Sequence, residues 1–174
     1  MKRIVIDASS AILLFKAGLF DDLTGTYQVV LAQSVYEEVS RPGYPGAKSF
    51  GRYYIDRRFE VCRVKRSTKI SPHRTETLSA LGDGEKDTIR LFLSGEGSFV
   101  VIDDGRGAGF CREHRIPYIN SLLVARILLL TGNISEAVFQ DKFDMLIRLG
   151  RYSRKIIDYA LTCPAKEMAI FMPG

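Results

Sequence analysis

The strongest constraint on the fold is an alternation of two patterns. Short runs rich in β-branched residues, Arg3–Ile6 (RIVI), Gln28–Ala32 (QVVLA) and Phe99–Ile102 (FVVI), are separated by stretches whose apolar residues recur at helical spacing. Runs of this kind, apolar on consecutive residues, suit strands buried on both faces. Parallel strands need long crossovers, usually helical. The pattern therefore predicts an α/β fold with a mostly parallel sheet covered on both sides. With 174 residues the chain is long enough for one domain with a sizeable core.

The remaining elements follow from the same reading. Helices are expected over Ala11–Ala17, with Ser9 or Ser10 as cap, and over Ser34–Ser40, 47–57, Glu85–Leu93, Gly109–His114, 121–131, 134–149 and 152–162. RPGYPG, residues 41–46, breaks the chain. Phe59–Val64 and Pro117–Ile119 read as short strands, Lys65–Arg74 as an exposed basic loop and Glu76–Leu81 as a helical turn.

In such sheets ligands gather beyond the carboxyl ends of the strands. Asp7 ends the first strand, and Asp103 and Asp104 end a later one. Adjacent acids repel each other and disfavour the edge of an apolar core. Capping the following helix accounts for Asp7 or for one of the pair, and leaves the other unexplained.

Two helices add acids. In QSVYEEVSRPG the apolar face is marked by Val35 and Val39. At about 100° per residue Glu37 points away from that face, while Glu38 lies on its flank beside Val35. In GDGEKDTIRLFLSG, Glu85 shares the face of Ile89, Phe92 and Leu93, and Asp87 falls opposite. Glu38 and Glu85 are expected to face one cleft, Glu37 and Asp87 the solvent. Gly82 and Gly84 leave room for close approach. As a blander role, Glu85 complements a helix dipole from the first turn.

Asp7, Glu38, Glu85 and Asp103 or Asp104 thus form a spaced set of four or five acids. Carboxylates packed together need a compensating cation, and hard Mg²⁺ or Mn²⁺ prefers oxygen ligands. His73 and His114 lie far apart with no ligand spacing and read as surface residues.

Composition sets the outer limits. The formal charge is +5 and the pI about 9.2, which permits a polyanionic partner without requiring one. Cys62, Cys111 and Cys163 are scattered and odd in number, which fits a reducing cytoplasm rather than a disulfide framework or zinc site. No apolar run reaches the roughly 18 residues of a membrane span, and the apolar stretch in MKRIVID is too short for a secretory signal.

IVIDASSAIL, VYEEV, LGDGEKDTIRLFL and FVVIDDGRGAGFCREHRIPYINSLLVARIL, in this order and spacing, resemble a PIN domain. More narrowly they resemble the prokaryotic branch whose third motif reads Gly-Glu and whose fourth reads Asp-Asp. The resemblance covers about residues 3 to 130, a PIN-like nuclease domain over 1–130. The helices of residues 131–174 look like the C-terminal extension of that branch, packed on the same domain.

The resemblance implies a Rossmann-like three-layer α/β/α sandwich. It also implies Mg²⁺- or Mn²⁺-dependent cleavage of RNA phosphodiester bonds, often by the toxin of a toxin–antitoxin pair. Carried over by residue, the acids are Asp7, Glu38, Glu85 and Asp103 or Asp104, with Ser9 supporting Asp7. Asp7, Glu85 and the Asp103–Asp104 pair would hold metal. Lys86 and Asp87 replace a more usual small residue and acid, which leaves Asp87 a minor role. An RNA substrate, an antitoxin protein and a homodimer are the partners this family brings with it. Arg52, Arg57, Arg58, Lys65, Arg66, Lys69 and Arg74 are candidates to hold the RNA backbone. Tyr44, Tyr53 and Tyr54 are placed either to stack on bases or, preferably, to pack.

Other acidic α/β sites fit less well. A phosphoacceptor receiver domain would carry its acidic pair after the first strand, and a haloacid-dehalogenase-type phosphatase would want Asp-x-Asp where this chain has Asp7-Ala8-Ser9. The alternative that remains is a PIN-like module that binds RNA or a protein without cutting.

Overall fold

The computed structural model describes residues 1–64 and 78–173. Five strands form one sheet: β1 (Arg3–Ile6), β2 (Gln28–Ala32), β3 (Glu60–Cys62), β4 (Val100–Val101) and β5 (Tyr118–Ile119). Their order is β3-β2-β1-β4-β5, and every pairing is parallel. Among the described residues the helices are α1 (Ala8–Lys16), α2 (Phe20–Thr26), α3 (Gln33–Val39), α4 (Ala47–Ile55), α5 (Asp83–Leu93), α6 (Gly105–Glu113), α7 (Ser121–Leu130), α8 (Glu136–Leu149) and α9 (Arg154–Thr162). The expected parallel α/β sandwich is what the chain forms.

Two apolar clusters meet at β4, and the larger one reaches both faces of β1 and β2. Around β4, Phe99 and Val101 join the larger one, which gathers Ala11 and Leu14 of α1, Leu23 of α2 and Leu122 and Leu128 of α7. Val100 and Ile102 join the smaller one, with Ile89 of α5 and Phe110 and Cys111 of α6. Successive strand residues alternate between faces, so a run that is apolar throughout must be covered on both.

Because β1 passes to β2 on one side and pairs with β4 on the other, the chain reverses its winding between β1 and β4. The crevice beyond their carboxyl ends is the topological switch point, where ligands bind in open sheets of this kind. Ile6 and Val101 are register partners, and the Asp7 amide donates to the Val101 carbonyl at 3.1 Å. Asp7 and Asp103 therefore leave neighbouring strands at the same edge, Asp103 one position further along.

Two boundaries differ from expectation in ways that matter for these acids. The first helix begins at Ala8, and its cap is Asp7 rather than Ser9 or Ser10. The helix after β4 begins at Gly105, not Gly109, and Asp104 is its cap. In both cases a carboxylate reaches the free amides of the first turn and starts the helix directly at the strand end. A further helix, α2, joins α1 to β2; Phe20 and Leu23 in the core stabilise a segment whose own helical propensity is poor. The strands are also shorter than read: β3 covers Glu60–Cys62 within Phe59–Val64, and β4 covers Val100–Val101 within Phe99–Ile102.

The C-terminal segment returns to the sheet. The Tyr27 hydroxyl donates to the Phe171 carbonyl at 2.7 Å, and the Phe171 ring meets Phe99 edge-on at 5.1 Å. His114 is half-buried rather than on the surface, with its ring 4.2 Å from that of Phe110.

Candidate active site

Asp7 is 2 % exposed. Its Oδ1 accepts from the Ser10 amide at 2.9 Å and its Oδ2 from the Ser9 hydroxyl at 2.6 Å. Burial pushes the Asp7 carboxyl up to about 7; the Ser10 and Ser9 bonds oppose the shift, and the nearby Asp103 carboxylate adds to it. A capping acid at a solvent-exposed helix start would show no such shift. Asp7 is thus both a cap and a strained charge.

Asp103 is held from elsewhere in the chain. The amide and hydroxyl of Ser121, which opens α7 beyond β5, both donate to it. The Tyr152 hydroxyl, from the turn between α8 and α9, donates to its Oδ1. Burial and the Asp103 charge raise the Tyr152 phenol far above its ordinary range, so it remains a donor. Gly150 makes room for the ring: a Cβ there would meet a Tyr152 ring carbon at 2.3 Å.

Asp104 turns the other way. Its Oδ1 accepts from the Arg106 amide at 2.8 Å and the Gly107 amide at 3.3 Å. Glu85 approaches it from the first turn of α5, where its Oε2 accepts from the Gly82 amide at 2.9 Å. Burial and the Asp104 carboxylate raise the Glu85 carboxyl, while the Glu85 hydrogen bond and the α6 amides lower that of Asp104. The open end of α6 favours charge on Asp104 over charge on Glu85.

Glu38 borders the same edge. A Cβ on Gly84 would lie 3.5 Å from its Oε2, which places the carboxylate against the start of α5. Glu37 is exposed and accepts from Gln33 at 2.8 Å, as the helical angles predict. Asp87 departs from expectation. It is half-buried, accepts from the Ser34 hydroxyl at 2.7 Å and pairs with Arg90 at 3.5 Å. The side of α5 that carries it faces α3 rather than water.

The acids therefore meet as two pairs along one edge, Asp7 with Asp103 and Glu85 with Asp104. Among the described residues no group of three or more His, Cys, Asp or Glu side chains converges on one point. A pair of carboxylates is still a fit for Mg²⁺ or Mn²⁺, since Mg²⁺ commonly takes one or two carboxylates and fills its shell with water and substrate phosphate. The donor set is oxygen throughout, the chemistry of a hard cation. Asp7 receives two donors and Asp103 three, out of about four acceptor positions on each carboxylate.

The basic candidates lie apart in character. Arg52 pairs with Asp56 at 3.7 Å and Arg58 with Asp21 at 2.6 Å. Arg57 follows α4 with a left-handed φ of 55°. Lys65, Arg66, Lys69 and Arg74 lie outside the described residues. Tyr53 packs among Phe15, Phe20 and Phe50, Tyr54 leans on Tyr36, and Tyr44 lies under Arg41. Ser121 and Tyr152 were not legible as site residues. Ser121 follows the last strand and so obeys the strand-end rule, whereas Tyr152 carries no local signal.

A doubly wound parallel sheet with a buried acid and a second carboxylate at its switch point defines an α/β protein whose site handles a cation or a charged ligand. A sequence model described as a PIN domain matches residues 3–162, and the chain belongs to the PIN-domain family. PIN domains are generally nucleases, usually dependent on divalent metal, so the family implies a nucleic-acid substrate. No curated protein matches the chain. No described helix is long and apolar enough to cross a membrane.

Proposed function

We propose that the protein is an Mg²⁺- or Mn²⁺-dependent endoribonuclease that hydrolyses RNA phosphodiester bonds at the crevice between β1 and β4. Asp7 carries this reading: a carboxylate shut away from water, its pKa raised to about 7, beside a second carboxylate from the next strand. An enclosed acid of this kind is explained when a cation neutralises it during work.

A divalent ion bound by Asp7 and Asp103 would polarise a phosphoryl oxygen and lower the pKa of a coordinated water. The chain's own residues prepare for this. Ser9 and the Ser10 amide fix the rotamer of Asp7. Ser121 and Tyr152 fix that of Asp103. Glu85, whose carboxyl is raised by burial and by Asp104, is the candidate for proton transfer during cleavage. Asp104, its carboxyl lowered by the Glu85 hydrogen bond and the α6 amides, anchors α6, and Glu38 closes the edge on the α3 side.

The branch resemblance supports finer proposals: a toxin of a toxin–antitoxin pair acting in the cytoplasm, an antitoxin partner and a homodimer. Residues 1–130 would form the nuclease domain and 131–174 a helical extension. A small DNA-binding reading frame beside the gene would support the toxin role.

The test compares RNA cleavage in Mn²⁺ and in EDTA, with Asp7→Asn alongside. Cleavage is expected in Mn²⁺ only, and Asp7→Asn is expected to lose at least about 100-fold, the scale on which general acid–base and metal contacts act. Cleavage in both conditions, or in neither, counts against the proposal; RNA binding without cleavage would identify a non-catalytic binding module.

A further inference from the structure

A cavity of about 780 Å³ opens beside Asp103 and Asp104, with Ser9 also on its wall. We infer that it seats one unpaired nucleotide adjacent to the scissile phosphate, while Arg112, Arg151 and Lys155 hold the neighbouring backbone. The inference rests on the ribonuclease reading and assigns that site its substrate track.

Three observations support it. The first is placement. The cavity lies between α6, β5 and the α8–α9 turn, and it runs from the acids to the C-terminal helices without a break. Its size suits a compact organic ligand.

The second is charge. Arg112 at the end of α6, Arg151 in the α8–α9 turn and Lys155 on α9 all line the cavity. Each is exposed, and none makes an ion pair among the described residues. Arg52 and Arg58, by contrast, already have carboxylate partners. Three uncommitted cations opposite a carboxylate edge make little sense for stability, since surface charges contribute little there. They do suit a polyanion that must approach acids which would otherwise repel it.

The third is the shape of the walls. Tyr118 from β5 and Tyr159 from α9 line the same cavity, with apolar side chains including Leu123 and Ile156 between the polar groups. Lys155 and Tyr159 stand one turn apart on α9, so one helix face offers both a phosphate contact and a ring. Aromatic rings on an apolar wall take any unpaired base by stacking, and a duplex cannot present one without opening. The Tyr152–Asp103 hydrogen bond ties the turn that carries Arg151 to the acid, which fixes the distance from phosphate grip to reaction centre.

Binding of a 5′-fluorescein-labelled decauridylate, read by anisotropy in EDTA, tests the track without cleavage. The double variant Arg151→Ala/Lys155→Ala is expected to bind at least about tenfold more weakly. Its plot of log affinity against log salt should flatten by about 1.4, the loss of two single-strand phosphate contacts. Lys16→Ala/Lys48→Ala, equal in charge and outside the cavity lining, controls for net charge and should match the wild type. With 2-aminopurine at the centre of the oligomer, quenching on binding should be at least halved in Tyr159→Leu, which also removes the exposed hydroxyl contact to Glu167; circular dichroism checks each fold. Wild-type affinity and slope in the groove variant, or a loss confined to Arg52→Ala/Arg58→Ala, overturns the groove. So does failure of the wild type to bind any oligomer. Mn²⁺-dependent cleavage with an indifferent groove variant would sink the track and leave the nuclease reading standing. Groove-dependent binding without cleavage would do the reverse.

Discussion

At the scale of single residues, the two central aspartates should respond in opposite ways to the same substitution. The folded-state pKa of Asp7 lies near 7, above the ordinary 3.8. Between those values the folded chain binds more protons than the unfolded one, so metal-free stability falls as pH rises from about 4 to about 7. Asparagine keeps the cap and drops the charge. Asp7→Asn is therefore expected to stabilise the metal-free protein at pH 8, by about 4 kcal/mol at most, a limit set by roughly three units at 1.36 kcal/mol each. The gain should close toward pH 4. Urea unfolding in EDTA at the two pH values measures it, and a gain independent of pH would mean that ionisation is not the source. Asp103 faces three donor groups instead. Asp103→Asn turns an amide N–H₂ toward one of them and should destabilise by about 1–3 kcal/mol, even though it too removes a charge. Repulsion between acids, the only term visible in the sequence, predicts the same sign for both.

At the scale of elements, the site depends on how closely the first turns of α5 and α6 meet. Gly107 permits that approach: a Cβ there would lie 2.3 Å from Ile102 Cδ1 and 3.6 Å from a Glu85 oxygen. Gly107→Ala should lower stability by about 1–3 kcal/mol through overpacking. It should also reduce cleavage, because α6 must move away from β4 and take Asp104 with it. A variant as stable and active as the wild type would show that Ile102 rearranges freely. Tyr152→Phe tests the link from the C-terminal turn. Losing its hydrogen bond should cost about 1 kcal/mol and lower kcat with little change in KM, since Tyr152 positions Asp103 rather than gripping substrate; an equal rise in KM would contradict that role. The strands, the later helices and the outward face of Glu37 were legible from periodicity. The starts of α1 and α6 were not, because Asp, Ser and Gly all permit a start and only the carboxylate contacts chose among them.

At the scale of the whole molecule, metal should couple to folding. An ion that binds the folded crevice and not the open chain stabilises by about 2.7 kcal/mol at 100 times its Kd. Mn²⁺ should accordingly raise Tm in the wild type and leave Asp7→Asn unmoved; an equal rise in both would locate binding elsewhere. The C-terminal residues belong to this scale as well, since Tyr152 reaches Asp103 and Phe171 reaches Phe99.

By itself the sequence determined the parallel sheet, the edge on which the acids stand and the oxygen-only character of the site. Those properties follow from local periodicity and from the residues that end each strand. Tertiary structure alone decided how the acids pair, which of them is desolvated, and that Asp87 turns toward Ser34. It also decided that Ser121 and Tyr152, 18 and 49 residues beyond Asp103, complete its environment. Burial and hydrogen bonding between distant segments depend on packing across the whole chain, and no local pattern records them.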